Sequence, residues 1–253
     1  MPGKLTADVV FCIDSSASMA PLFDALRANL GRFVEGLRSA GQSSVDLRVD
    51  FVSHTTSRLG DETVVRARSI HEHMLVDALY APTAGSMQEA MPRLFTADLE
   101  RFRSALAELT PVGDETNLVA LDLCLDFPWR PADRCHRVVV LLTDEPLETG
   151  LLVDEQRERI RDLIQKIHAL GVLLFIVGPQ SVSYDALAAA NRSTYEVVPD
   201  GGGLASVELG KVLNSIGRSV SASRASTGQR TARRALFGQD RWQESQLTGH
   251  SGA

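Results

Sequence analysis

The sequence predicts a doubly wound α/β fold, a mainly parallel central sheet flanked by helices, on three observations. Strand-like and helix-like segments alternate along most of the chain. Two strands, 7–13 and 136–143, are apolar on both faces, as strands covered by helices on either side are. Both of these runs stop at a carboxylate, Asp14 and Asp144.

Taken in order, Val9-Val10-Phe11-Cys12-Ile13 marks the first buried strand, and Leu22, Leu26, Leu30, Phe33 and Leu37 then recur at helical spacing. Gly41 closes that helix. Residues 45–52 alternate apolar and polar with a period of two, which predicts a strand covered mainly on one side and near a sheet edge. Residues 55–95 read as an insertion, with Val64–Ile70 as a candidate strand and Ala81–Ser86 as a loop. Leu99, Phe102, Leu106 and Leu109 mark a helix, and another opens near Thr116 with Leu118, Leu121 and Leu125. After the second buried strand, Ile160, Leu163, Ile164, Ile167 and Leu170 form a helical stripe ended by Gly171, and the strand Val172–Val177 stops at the breaker pair Gly178-Pro179. A helix at 183–191, a short strand at Thr194–Val198 and a last helix at about 204–222 complete the body.

At 253 residues and 44% apolar content the chain can bury one full core. We therefore expect one domain over 1–222 and a tail over 223–253. Residues 218–253 hold six Arg against Asp240 and Glu244, so this end is +4 and the remainder is −10, given the whole-chain charge of −6. An acidic body argues against nucleic acid as the partner, because phosphate binding needs a cationic face. The opening Met1-Pro2-Gly3-Lys4 lacks an apolar signal region, and no stretch reaches the roughly 18 apolar residues of a membrane span, so a cytoplasmic protein without membrane partners is expected. Cys12, Cys124 and Cys135 are too few and scattered for a disulfide framework and read as reduced, structural thiols.

The strand ends carry the chemistry. Asp14-Ser15-Ser16-Ala17-Ser18 brings a carboxylate and two alternate hydroxyls to the end of a buried strand, and oxygen donors of this kind suit a small hard cation. In doubly wound sheets ligands bind beyond the carboxyl ends of the strands, where strand order reverses. These residues resemble the metal-ion-dependent adhesion site of the von Willebrand factor A family, whose fold is a Rossmann-like α/β sheet. Asp14, Ser16 and Ser18 match its D-x-S-x-S run, Thr116 in Gly113-Asp114-Glu115-Thr116-Asn117-Leu118 matches its loop threonine, and Asp144 in Leu141-Leu142-Thr143-Asp144 matches its second aspartate. The resemblance covers roughly residues 7–222. It implies that Ser16 and Ser18 ligate Mg²⁺ or Mn²⁺ directly, that Asp14 and Asp144 act partly through water, and that Thr116 alternates between the two.

The resemblance also implies a function without chemistry of its own. A partner's Asp or Glu completes the metal's coordination, and occupancy can be coupled to displacement of the last helix. Bacterial cytosolic relatives commonly accompany MoxR-type AAA+ ATPases, or kinase and phosphatase partners. The chain departs from the family pattern at Glu145, where many members have Gly, and at Asp114 and Glu115. These added carboxylates keep Ca²⁺ open beside Mg²⁺ and Mn²⁺.

Other motifs carry less. Ser16 stands where a haloacid-dehalogenase-type phosphatase needs its second carboxylate, and no His is an obvious base for Ser16 or Ser18, which leaves a metal-dependent hydrolase as the weaker alternative. Gly201-Gly202-Gly203 lacks phosphate-loop spacing, and His71-Glu72-His73 lacks a zinc ligand count. His54, after the second strand, is a candidate for the metal-bearing rim. In the tail, the cluster over 235–242, with Leu236, Phe237 and Trp242, is a candidate docking element, in cis or on a partner.

Overall fold

The computed structural model describes residues 5–38, 44–59, 62–70, 73–76, 93–110, 113–114, 116–189, 193–199 and 208–223. Seven strands form one sheet. They are β1 (Leu5–Asp14), β2 (Val45–Leu59), β3 (Glu62–Arg68), β4 (His73–Val76), β5 (His136–Leu142), β6 (Val172–Pro179) and β7 (Ser193–Val198), in the order β4-β3-β2-β1-β5-β6-β7. The five strands β2, β1, β5, β6 and β7 run parallel, and β3 and β4 add an antiparallel edge beyond β2. The helices are α1 (Ala20–Arg38), α2 (Leu99–Ala107), α3 (Asn117–Leu125), α4 (Val153–Glu158), α5 (Ile160–Leu170), α6 (Val182–Ala188) and α7 (Leu209–Ser223).

Alternation along β1 divides the core. Val9, Phe11 and Ile13 pack with apolar residues of α1, α2 and α7, whereas Val10 and Cys12 pack with those of α3, α5 and α6. The doubly wound arrangement follows, because a strand apolar on both faces needs a helix layer on each.

Three sequence expectations change. The strand beginning at Val45 is interior, with β1 on one side and β3 on the other. Its polar alternate positions are satisfied within the protein: the buried Asp50 carboxylate accepts the backbone N–H groups of Phe51 (2.7 Å), Ile70 (3.0 Å) and Phe95 (2.6 Å), and half-buried Arg48 pairs with buried Asp8 at 2.6 Å. Residues 55–59 extend β2, while Glu62–Arg68 and His73–Val76 form β3 and β4, so most of the described part of the presumed insertion belongs to the sheet. Strand β6 also runs on through Gly178-Pro179. By that point β5 has ended, and these two residues pair only with Val197 and Val198 of β7, so the N–H that proline lacks has no β5 partner to lose.

Helices α1 and α7 meet at glycines. A Cβ on Gly217 would lie 2.8 Å from the Leu37 backbone nitrogen and would also collide with the Phe33 carbonyl, and one on Gly36 would strike the Asn214 backbone. The Asn214 amide bonds the Arg32 carbonyl across the same seam at 3.1 Å. Such contact between backbones leaves no flexible atom to yield. Gly217→Ala is therefore expected to destabilise the protein by about 1–3 kcal/mol despite alanine's higher helix propensity, measured by urea unfolding.

Candidate functional site

Strands β1 and β5 are neighbours, yet the chain leaves β1 toward β2 on the opposite side, so the strand order reverses between them. Helices leaving such a point diverge to opposite faces and leave a crevice at the carboxyl ends. Asp14 ends β1, and Thr143-Asp144 follows β5 directly. The sheet alone thus brings the two carboxylates to one edge.

Past Asp14 the chain turns tightly. The Ser16 N–H donates to Asp14 Oδ1 at 2.7 Å, the Ser15 N–H continues the β2 pairing to the His54 carbonyl at 3.0 Å, and the Ser16 and Ser18 hydroxyls bond at 2.9 Å. A 3₁₀ turn at Ala17–Met19 leads into α1. Ser18 is exposed and hydrogen-bonds Asp144, which brings the D-x-S-x-S run and Asp144 into contact.

Thr116 reaches the site by a different route. Beyond Asp14, β1 no longer accompanies β2, and Asp114 takes its place: the Thr56 N–H bonds the Asp114 carbonyl at 2.7 Å, and the Asp114 N–H bonds the Thr56 carbonyl at 3.2 Å. The loop opening α3 therefore lies over the end of β1. Buried Thr116 then shares a 2.9 Å hydrogen bond with Thr56 Oγ1. Gly113 makes the approach feasible, with φ +83° and a would-be Cβ only 2.7 Å from the Thr56 carbonyl.

Electrostatically the site is a concentration of negative charge. Asp14 is fully buried, and burial, joined by the charge of Asp144, pushes its carboxyl up to about 7 in spite of the Ser16 N–H and the Thr143 hydroxyl. Asp144 is also raised, by burial and by neighbouring Glu145, against the Ser18 hydroxyl. Its Oδ1 is buried with no hydrogen-bond partner. Among the described residues neither carboxylate has a cationic partner. The contrast is Asp8 at the other end of β1, equally buried but held below its ordinary value because hydrogen bonds from Arg48 and Arg130 outweigh burial.

The remaining predicted positions separate. Asp114 is exposed and contributes its backbone to the bridge with Thr56, and Glu145 is half-buried next to Asp144. His54 is not on the open rim. It pairs opposite Asp14 within the sheet, is fully buried, and is held neutral, its pKa pushed down to about 4 by burial. Asn117 lies beside its ring, although neither ring nitrogen reaches hydrogen-bonding geometry. Glu115, His71, Glu72, Gly201–Gly203 and the tail residues Leu236, Phe237 and Trp242 lie outside the described residues. Sequence reasoning missed Asn117, Thr143 and Tyr184, which form a buried hydrogen-bonded group beside Asp14.

The donor set fits a small hard divalent cation. It offers only oxygen, from two carboxylates and three hydroxyls, and the carboxylates are buried without a counter-charge. Among the described residues no three of His, Cys, Asp or Glu cluster, which excludes a nitrogen- and sulfur-rich zinc-type site there.

No family model matches the sequence, and no curated protein sequence matches it significantly. The likeness is structural. A von Willebrand factor type A protein from Catenulispora acidiphila superposes with a TM-score of 0.52 at 15% identity, covering 86% of this chain and 43% of that one. The human COPII-coat protein Sec24c gives 0.52 at 14% identity, covering 86% and 32%. The pilus adhesin SpaC from Lactobacillus rhamnosus GG gives 0.50 at 12% identity, covering 88% and 31%. The chain thus spans less than half the length of these structures. At these identities the comparison establishes the fold, a von Willebrand A-type α/β sheet, and nothing finer.

A raised carboxyl costs stability once it ionises. The unfolded Asp14 loses its proton near pH 4 and the folded one near 7, so metal-free stability falls as pH rises through this interval. Asp14→Asn keeps the acceptor for the Ser16 N–H without the charge. In chelator at pH 8 it should be more stable than wild type by roughly 2–4 kcal/mol, with the gain disappearing near pH 4, as followed by thermal and urea unfolding.

Proposed function

We propose that this chain is a divalent-cation-dependent protein-interaction module. Asp14, Ser16, Ser18, Thr116 and Asp144 would hold Mg²⁺, with Mn²⁺ or Ca²⁺ as alternatives. The bound ion supplies an electrophilic position that a carboxylate from a partner's Asp or Glu can fill. The observation that carries this reading is the pair of buried, uncompensated carboxylates at adjacent strand ends, one with an unpartnered oxygen, beside an exposed serine hydroxyl.

The chain's own residues would perform the selection. Ser16 and Ser18 supply neutral oxygens, so the ion's charge is only partly cancelled and an anionic partner is favoured. Half-buried Glu145 and exposed Asp114 stand close in sequence to ligand residues and repel a second negative group, which favours a partner presenting one acidic residue in a neutral or basic setting. SpaC, a pilus adhesin of similar fold, is in keeping with such a module.

The setting belongs to the same proposal: a cytoplasmic adaptor with no catalysis, no nucleic acid and no membrane partner, acting with an AAA+ ATPase or with kinase or phosphatase partners. Among the described residues no helix is long and apolar enough to cross a membrane. A metal-site subunit of an ATPase-driven remodelling or chelatase-like complex is the second form of the reading. A hydrolase is less supported, because the buried His54 ring makes no hydrogen bond to Ser16 or Ser18. The tail residues Leu236, Phe237 and Trp242 would add a second contact.

Calorimetric titration of Mg²⁺ and Mn²⁺ into chelator-treated protein tests the site. Wild type is expected to bind one ion saturably, and Asp14→Ala/Ser16→Ala to bind none. Equal heats from the two proteins, or none from wild type, contradict the reading.

A further inference from the structure

Beside Asp14 lies a buried polar group that belongs to no ligand position. Asn117, Thr143 and Tyr184 are at most 1% exposed, and they come from α3, the residue after β5, and α6. The Asn117 amide gives both of its protons away, to Thr143 Oγ1 at 3.1 Å and to the Tyr184 hydroxyl at 2.9 Å. Thr143 Oγ1 also accepts the Glu145 N–H at 3.3 Å. Its acceptor capacity is then filled, and its single proton has two destinations, Asp14 Oδ2 and the Glu145 carbonyl, both at 3.3 Å.

The carboxylate is the stronger acceptor of the two. The Tyr184 hydroxyl, which accepts from Asn117, also lies within donating distance of the same Glu145 carbonyl, at 3.4 Å. At equal distance the Thr143 proton goes to the charged acceptor, Asp14 Oδ2. We propose that Thr143 is the positioning residue of the site, its hydroxyl aimed at Asp14 Oδ2 by the direction in which the Asn117 amide donates. Asp14 is then held at both oxygens, Oδ1 by the Ser16 N–H and Oδ2 by Thr143, and its remaining lone pairs are left for a ligand.

The opposite orientation of the amide has a definite cost. With Oδ1 turned toward them, Thr143 and Tyr184 would both donate to Asn117, and Asp14 Oδ2 and the Glu145 carbonyl would lose their donors inside the protein. In the orientation present, Asn117 Oδ1 is buried without a hydrogen bond beside the His54 ring, whose neutral form always carries one N–H. A slight closure would satisfy both. The Thr143 methyl, on the other branch from the hydroxyl, sits over Gly178, where a Cβ would lie 2.8 Å from Thr143 Cγ2.

This inference rests on the reading of the strand-end residues as metal ligands, and its test separates the two. Mn²⁺ binding is followed by electron paramagnetic resonance in wild type, Thr143→Val, which keeps the shape without the hydroxyl, and Thr143→Ser, which keeps the hydroxyl. Valine is expected to weaken binding about tenfold or more, and serine to stay within about threefold of wild type. Full affinity in the valine variant, or equal loss in both, overturns the inference while leaving the site intact. In parallel, nuclear magnetic resonance of metal-free wild type reads the amide directly. Slowly exchanging Asn117 Nδ2 protons with cross-peaks to the Tyr184 and Thr143 side chains support the arrangement, and cross-peaks from those protons to the His54 ring overturn it. If wild type binds no Mn²⁺, the ligand reading fails, and the resonance experiment alone decides the hydroxyl's direction.

Discussion

Two carboxylates buried side by side without a counter-charge are the constraint on which the rest of this structure turns. Asp14 and Asp144 cannot move apart, because β1 and β5 are paired from Ala7↔His136 to Ile13↔Leu142 and both side chains follow directly on that register. Pairing is enforced by strands apolar on both faces, so the helices that complete the core also press the charges together. The protein answers with hydroxyls and backbone N–H groups rather than arginines. Around Asp8, at the opposite end of β1, it uses arginines, and the outcome is a carboxyl stable as an anion. One end of the same strand is closed by internal ion pairing, and at the other no arginine or lysine pairs with the carboxylate among the described residues.

The surrounding elements keep that site in place. Asp114 replaces β1 as the neighbour of β2 once β1 has ended, which carries the start of α3 over Asp14. The turn at Ser16–Ser18 runs straight into α1, and α1 is locked to α7 by contacts between their backbones at Gly36 and Gly217. A change at the serine turn therefore acts first on a rigid helix pair rather than on α7 alone. This bears on the helix displacement that the family resemblance implies: sliding α7 past α1 would have to break the glycine seam and the Asn214–Arg32 hydrogen bond.

Much of this was legible in the sequence where the signal was local. Val9–Ile13 and Val138–Leu142 declare themselves as buried strands, and D-x-S-x-S lies within five residues. What escaped was made by long-range pairing. Asp50 reads as a solvent-facing residue of an edge strand, but donors from Ile70 and Phe95 satisfy it in the core, and β3 pairs along the far side of β2. His54 reads as a loop residue because nothing nearby shows that β2 continues to Leu59. Thr143, Asn117 and Tyr184 are ordinary polar residues in sequence, 26 and 67 positions apart where they bond. Only Asn117, polar at the start of a helix whose next four residues are all apolar, carried a local hint. Gly178-Pro179 misled for a related reason, since a breaker pair is harmless where one neighbouring strand has already ended.

The strand-end residues are proposed to enclose one divalent cation. Crystals grown with Mn²⁺ and measured at a wavelength where manganese scatters anomalously test it most directly. The account predicts a single strong peak within coordination distance of Ser16 and Ser18, with Asp14, Asp144 and Thr116 around it. A clear map with no peak there, or a peak held by other residues while Asp14 and Asp144 stay unliganded, would contradict it.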